Sequence, residues 1–411
     1  MFRGGPEHSG IYDGEGVPAL SAVKWKFRTG GRVISSPVVA GGTLYVGSND
    51  SNLYAIDAES GTEKWRFKTG SRVTSSPAVA KGTVYFGSWD GNFYAVDSAS
   101  GQQKWKFKTG GERRFAATHL HGAVPTGESQ PDPFDFYLSS PAVVQDMVFF
   151  GSGDGYVYAL DAASGNLKWK FQTGDVVHSS PAVGGGIVYV GSWDTYFYAI
   201  DAVTGAQKWR FKTGDDPVIH NQMGIQSSPL LANGLVYFGC RDSNLYALDA
   251  HTGEKKWAFN NKGSWVIASP VAKDGKVYFA TSDTGLFRSL DAKTGNEIYS
   301  LKFIWPLFSS PTIAGSTLYI GSEEGKLFAV NLTTQQAAWN FQTDGSKQYG
   351  AALTRTDGRP KYEAAFTDGF YDSLVIGVDK MLSVGMVLSS PAIAGNVLYF
   401  GSTDGNIYAL H

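Results

Sequence analysis

Apolar and polar positions alternate in short runs along nearly the whole chain. In residues 33–70, VISSPVVAGGTLYVGSNDSNLYAIDAESGTEKWRFKTG, brief Val/Ile/Tyr/Phe runs are separated by Gly-rich turns, and no segment holds helical spacing long enough to compete. The pattern predicts four strands. It recurs in residues 73–110, VTSSPAVAKGTVYFGSWDGNFYAVDSASGQQKWKFKTG, so the chain repeats with a period of about 40 residues. A first-strand tag, Ser-Ser-Pro, begins at Ser35, Ser75, Ser139, Ser179, Ser227, Ser309 and Ser389, with Ala268-Ser269-Pro270 as a variant. The outer-strand aromatic is Trp25, Trp65, Trp105, Trp169, Trp209, Trp257 and Trp339, with Tyr299 replacing it once. Eight tags and eight aromatics predict an all-β, eight-bladed β-propeller of four-stranded antiparallel blades, a single domain over residues 1–411.

The two ends of the chain are complementary. Residues 23–30, VKWKFRTG, match the fourth strand alone, and residues 387–410 supply the first three. Pairing them closes the ring and removes both free sheet edges. Residues 1–20 are Gly/Pro-rich without periodicity and read as an extended lead-in. The turn beginning at Asp57 recurs at Asp97, Asp161, Asp201, Asp249 and Asp291; the carboxylate suits the turn's own amides and the following Gly takes positive φ. This turn role is preferred to a series of calcium sites. The Asp-Gly pairs at Asp90, Asp154 and Asp404 predict type I′ hairpins. The Trp ring is expected to wedge between blades.

The run Ala-x-Asp-x-x-Ser/Thr-Gly-x-x-x-Trp, repeated with its Ser-Ser-Pro tags, resembles the quinoprotein-type (PQQ-like) propeller repeat. That family holds PQQ-dependent alcohol dehydrogenases and BamB-like non-enzymatic members. The resemblance covers residues 23–410 outside the insertions and implies the fold; for activity it implies either class. The dehydrogenases bring a vicinal cysteine pair, a calcium held by Glu/Asn/Asp beside the quinone, and a catalytic Asp. Cys240 is the single cysteine, so the pair is impossible; PQQ with calcium is disfavoured and no cofactor is assigned.

The repeat is interrupted between the outer strand of one blade and the inner strand of the next, at residues 111–138, 215–226 and 346–386. Those connections emerge beside the second-to-third-strand hairpins, so one face should carry every elaboration and is the expected working face. The first insertion holds Arg113, Arg114, His119, His121, Asp132 and Asp135; the second holds Asp215, Asp216, His220, Asn221 and Gln222. His178 precedes the tag of the fourth blade. The histidines fit a metal site or acid/base chemistry, and equally a structural role tying loop backbone down. In the third insertion Phe370, Leu374, Val378, Met381 and Leu382 follow helical spacing, predicting a short amphipathic helix that covers the ring's mouth or meets a partner. Residues one and three before each tag should line the mouth, among them Arg32, Arg72, His178, Gln226 and Trp265. Arg32 and Arg72 suit a clamp on a carboxylate or phosphate, or pairs with acids of the insertions. Trp89 and Trp193 are aromatic candidates on the hairpins, for contact with a ligand or for packing between loops.

Composition narrows the function classes. Lys+Arg of 35 against Asp+Glu of 37 leaves no field for nucleic acid, and no run of 18 apolar residues exists to span a membrane. No nucleophile elbow or phosphate-binding Gly loop is present. The expected function is a non-catalytic, monomeric propeller binding a small-molecule ligand or protein partner on the inserted face. The alternative is a quinoprotein-like dehydrogenase, or another enzyme using the His/Arg-rich mouth. The start MFRGGPEHSG lacks a signal peptide's apolar core and resembles the post-leader region of exported family members, giving the periplasm or cell surface as the expected location, with the cytoplasm as the other.

Overall fold

A computed structural model describes residues 1–214 and 223–411. Blades occupy residues 38–68, 78–108, 142–172, 182–212, 230–260, 271–302 and 312–342, each a four-stranded antiparallel meander. The eighth joins both ends of the chain: Val23–Arg28 pairs antiparallel with Asn406–Leu410, Val23 opposite Leu410 and Arg28 opposite Asn406. Two free edges thereby become an interior ladder.

The tag is the stitch between blades. The hydroxyl of its first serine donates to the carbonyl of the next blade's first serine, Ser35 to Ser75 at 3.0 Å, Ser75 to Ser139 at 2.9 Å and Ser139 to Ser179 at 3.0 Å. The same Oγ accepts the amide of the glycine ending the second strand, as Gly47 N to Ser35 at 3.0 Å. The second serine accepts the backbone N–H of its predecessor around the channel, Ser36 N to Ser76 Oγ at 3.0 Å and Ser390 N to Ser36 Oγ at 2.8 Å. Inner strands have no ladder partner on their channel side, so these hydroxyls satisfy backbone groups that burial would otherwise orphan.

The outer aromatic docks on the neighbouring blade's turn. Trp25 Nε1 donates to Ala58 O at 3.0 Å, and its ring lies against Gly61, where a Cβ would sit 2.7 Å from the ring at a φ of +74°. Where the ring is smaller the glycine is gone: blade six presents Tyr299, and the facing turn has Gln335 in that place. Trp339 donates to Val17 O at 3.0 Å, so the lead-in stands in for the turn that the eighth blade lacks between its third and fourth strands. Gly61→Ala is expected to cost about 1–3 kcal/mol by overpacking, read as a lowered denaturant midpoint.

The turn aspartates behave as the spacing predicts. Asp57 Oδ1 accepts from Ser60 N at 2.9 Å and Glu59 N at 3.1 Å, and the Ser60 amide, then Lys64 and the Ser60 hydroxyl, hold its carboxyl down to about 2. The Asp-Gly hairpins differ from expectation. Gly91, Gly155 and Gly405 have positive φ but Asp90, Asp154 and Asp404 do not, so the turns are not type I′, which needs two such residues. The carboxylate there is an inter-blade clamp: Asp90 Oδ2 takes Gly70 N and the Tyr94 hydroxyl, both at 2.7 Å.

The lead-in departs from the expectation that one face carries every irregular segment. It crosses the far end of the channel, with Pro6 O accepting Val183 N at 2.7 Å and Gly10 O accepting Ile313 N at 2.8 Å, and Ile11–Tyr12 adds a short parallel strand to blade seven. Arg3 donates to Pro270 O at 2.7 Å and Pro311 O at 3.0 Å, and Phe2 enters the channel beside the serine belt. Inner-strand carbonyls and amides exposed at that end supply the attachment.

Candidate functional site

Two insertions meet over the opposite end and form one roof. Val124 N donates to Gly369 O at 2.8 Å, Tyr371 N to Val124 O at 3.0 Å, and the Tyr371 hydroxyl to Pro131 O at 2.6 Å. The predicted helix is Tyr371–Leu382. It turns Val378, Met381 and Leu382 onto Trp265, Phe308 and, at the ends of the insertions, Phe136 and Met386, with Leu374 packed alongside. Phe370, expected in that stripe, instead precedes the helix and is 60% exposed. Its place at the N-cap directs it away from the apolar face.

Five of the charged or titratable groups under the roof, Arg241, Asp132, His121, His178 and Asp135, are paired in two buried knots. Arg241 lies between the rings of Trp193 and Trp265, 4.3 and 4.6 Å from their centroids. It donates to Asp132 Oδ2 at 2.6 Å and Gln226 Oε1 at 2.8 Å. Asp132 also meets His121 Nε2 at 3.2 Å and accepts Phe134 N at 2.8 Å. Burial opposes its charge, but Arg241 and His121 hold the carboxyl well below the usual range. In the second knot His178 Nδ1 lies 2.8 and 2.9 Å from the Asp135 oxygens, with Glu112 3.6 Å from Nε2. Burial works against the imidazolium, yet these carboxylates outweigh it and raise its pKa to about 9.

The histidines named from the sequence are therefore divided. His121 and His178 face different aspartates, His119 is exposed, and His220 with Asn221, Asp215, Asp216 and Gln222 lies outside the described residues. Among the described residues no three His, Cys, Asp or Glu side chains converge as a metal site. Trp193 is buried and stacked on Phe115 at 4.4 Å, a packing role; Trp89 donates Nε1 to Thr74 at 2.9 Å and meets the His178 ring edge-on.

Among the described residues, two neighbouring pockets under the roof are separated by Phe136, Val378 and Leu382. The smaller, about 140 Å³, is basic, with Arg32, Arg72 and Arg114 beside Asn49 and Thr74. Arg32 donates to Asp379 Oδ1 at 2.6 Å and Arg72 lies 4.2 Å over the Trp89 ring. Burial, and then the Arg114 charge, lower the Arg72 pKa to about 10. Arg113 is drawn outward to Asp175 at 2.7 Å. The Arg32–Asp379 pair is partly solvated, so Asp379→Asn is expected to cost less than about 1 kcal/mol in thermal unfolding.

The larger cavity, about 360 Å³, lies under the helix. Its walls are Phe134, Phe136, Trp265, Phe308, Phe366 and Met386, and two carboxyl groups open into it, Asp283 and Glu323. Trp265 N and the Ser282 hydroxyl each donate to Asp283 Oδ2 at 3.0 Å. Burial, and then Asp283, push the Glu323 carboxyl up to about 8.

Arg241, Asp283 and Glu323 were not singled out from the sequence, though for Arg241 and Glu323 a signal existed. In Gly-Ser-x-Asp hairpins the variable residue is, for example, Asn49, Trp89 or Trp193, and the corresponding position is Arg241 in Gly-Cys-Arg-Asp and Glu323 in Gly-Ser-Glu-Glu. Its amide bonds the carbonyl three residues before the tag, as Trp89 N to Arg72 O and Glu323 N to Pro306 O, both at 3.1 Å. Every such residue thus sits beside the mouth.

The donor set does not fit a quinone with calcium: two carboxyls stand in an apolar chamber, neighbouring acids are tied to Arg241 and His178, and Cys240 is alone. No step through that group is derived.

Comparison with known proteins follows the fold. A family model described as outer membrane protein assembly factor BamB matches residues 18–126, 128–260 and 241–411. The BamB of Shewanella oneidensis is 24% identical over 168 residues, 36% of this chain and 42% of that protein, so less than half the relative's length is spanned. The crystal structure of BamB from Moraxella catarrhalis superposes with a TM-score of 0.69 at 16% identity, covering 96% of this chain and 100% of that one. A europium-containing methanol dehydrogenase also gives a TM-score of 0.69 at 16% identity, covering 100% and 97%. The quinohemoprotein alcohol dehydrogenase from Comamonas testosteroni gives 0.67 at 15%, covering 95% and 76%. At such identities the structural likenesses speak to the fold alone. With its repeats matched from end to end, the chain belongs to the PQQ-like propeller family whose model carries the description outer membrane protein assembly factor BamB.

Proposed function

We propose that this protein is a non-catalytic propeller that binds a small-molecule ligand beneath its two-insertion roof. The observation that carries this reading is the cavity of about 360 Å³, mostly apolar with a few polar groups turned inward, the composition of a ligand pocket. The state of the acid/base candidates supports a binding role over chemistry: His178 and His121 are each committed to a buried aspartate. Likeness to an outer membrane assembly factor supports a periplasmic or cell-surface location, and a protein partner meeting the outer side of the roof is the companion reading.

The test is native mass spectrometry of the purified protein with a thermal-shift screen of small molecules, repeated on Met386→Trp, which fills the cavity. Co-purified or screened ligands that stabilise the wild type and lose their effect in a normally folded M386W protein are expected. Equal effects in both proteins would place binding elsewhere, and dye-linked alcohol oxidation with added PQQ and calcium would replace this reading with the dehydrogenase one.

A further inference from the structure

The larger cavity holds a carboxyl group with nothing in the described protein to bond it. Glu323 is 6% exposed and lines the cavity beside Asp283, and its side chain has no hydrogen-bond or ion-pair partner among the described residues. Every other buried acid at the mouth is matched: Asp132 by Arg241, Asp135 by His178, and Glu112 by Ser152 Oγ at 2.9 Å and Gly153 N at 2.6 Å. A desolvated carboxyl beside a second one is a costly arrangement that a complementary group would relieve. Arg241, the cation that acts on Asp283, is already taken by Asp132 and spends one ring contact on Trp265.

The walls narrow what that complementary group is. Phe134, Phe308, Phe366 and Tyr362 present aromatic surface to the same space, and ring faces attract a cation while tolerating its alkyl substituents. An anionic ligand would meet two carboxyl groups and would disfavour the ionised form of each. The arginine pocket lies on the far side of Phe136, Val378 and Leu382, so it does not neutralise this chamber.

We infer that the cavity recognises a small organic cation, an ammonium group carried on an apolar or aromatic body, with Glu323 as its counter-ion and Asp283 in support. This rests on the ligand-binding reading above and names the ligand class of that site. The protonation state fits: alone, Glu323 is held neutral by burial and by Asp283, and an entering cation favours its ionised form. The other titratable groups acting on the pair are Tyr362 and Tyr137 toward Glu323, Arg241 toward Asp283, and His121 in the cavity wall. Both tyrosines stay neutral well above pH 8, so proton release on binding belongs to the carboxyl pair.

Isothermal titration with three probes tests the inference: benzyltrimethylammonium, neutral 2-phenylethanol and anionic phenylacetate. The ammonium is expected to bind at least ten-fold more tightly than either of the others. Its affinity should rise several-fold between pH 6.5 and 8.5, with proton release seen in buffers of different ionisation enthalpy. Both features should vanish in Glu323→Gln, which preserves the neutral shape and therefore folds, and should weaken in Asp283→Asn. Equal affinity for the alcohol, tighter binding of phenylacetate, or an unchanged ammonium preference in E323Q each overturns the inference while leaving a ligand pocket in place. No binding of any probe also overturns it; the ligand-binding reading then stands or falls separately on the M386W comparison.

Discussion

Arg241→Met is expected to destabilise the protein by about 3–5 kcal/mol, measured as a loss of denaturant stability at pH 7, more than any other single change at the mouth. The guanidinium is 1% exposed and the Asp132 side chain it bonds at 2.6 Å is fully enclosed. Removing the cation leaves a buried carboxylate with His121 and the Phe134 amide as its polar contacts among the described residues. That carboxylate then either stays charged in a poor medium or takes a proton. The stacking of Trp193 and Trp265 on the guanidinium goes as well. Because Asp132 lies in the first insertion and Arg241 on blade five, the same change loosens the roof. The double variant Asp132→Asn with Arg241→Met is expected to recover most of the loss, since no unpaired charge remains. A loss of under 1 kcal/mol in the single variant would show that Asp132 finds another partner.

The second large effect is a fall in stability as the solution becomes alkaline. Glu323 has its carboxyl raised from 4.5 to about 8 in the folded protein. A group with a raised folded pKa binds its proton more tightly when folded. Its contribution is fully present below the unfolded pKa and is lost as pH rises through about 8. At about 1.4 kcal/mol per unit the loss is on the order of 3–5 kcal/mol across that window. His178 has the same sign in a later window: raised from 6.5 to about 9, it stabilises fully below 6.5 and ceases to do so above 9. The two are separable. Glu323→Gln should melt at a higher temperature than the wild type at pH 8, match it near pH 4.5, and retain the later decline. If E323Q and wild type track each other from pH 5 to 8, the carboxyl is not held neutral by the fold. The cation inference would lose its electrostatic motive as well.

The architecture was legible because each blade writes its own signature within one repeat. Ser-Ser-Pro, the Asp-to-Gly turn and the outer Trp recur in register, and the split of the eighth blade between residues 23–30 and 387–410 predicted the closing pair found at Val23 and Leu410. What those residues do was less legible. The tag marks a strand start in sequence, yet its hydroxyls act between blades, and Asp90 reaches back to Gly70 instead of serving a type I′ turn. The helix Tyr371–Leu382 followed from spacing, but its fit onto Phe136 and Trp265 did not.

The sequence by itself determined the number of blades, their strand order, the closure and the places where insertions leave the ring. Those depend on local turn chemistry and on alternation that any one repeat displays. Only the tertiary structure decided which charged side chains are spent and which is left over. Asp132 meets Arg241 across 109 positions, and His178 meets Asp135 across 43. Glu323 differs from them by having no such partner among the described residues, in a mostly apolar chamber. Pairing and desolvation are properties of distance in space, and a period along the chain carries no record of them.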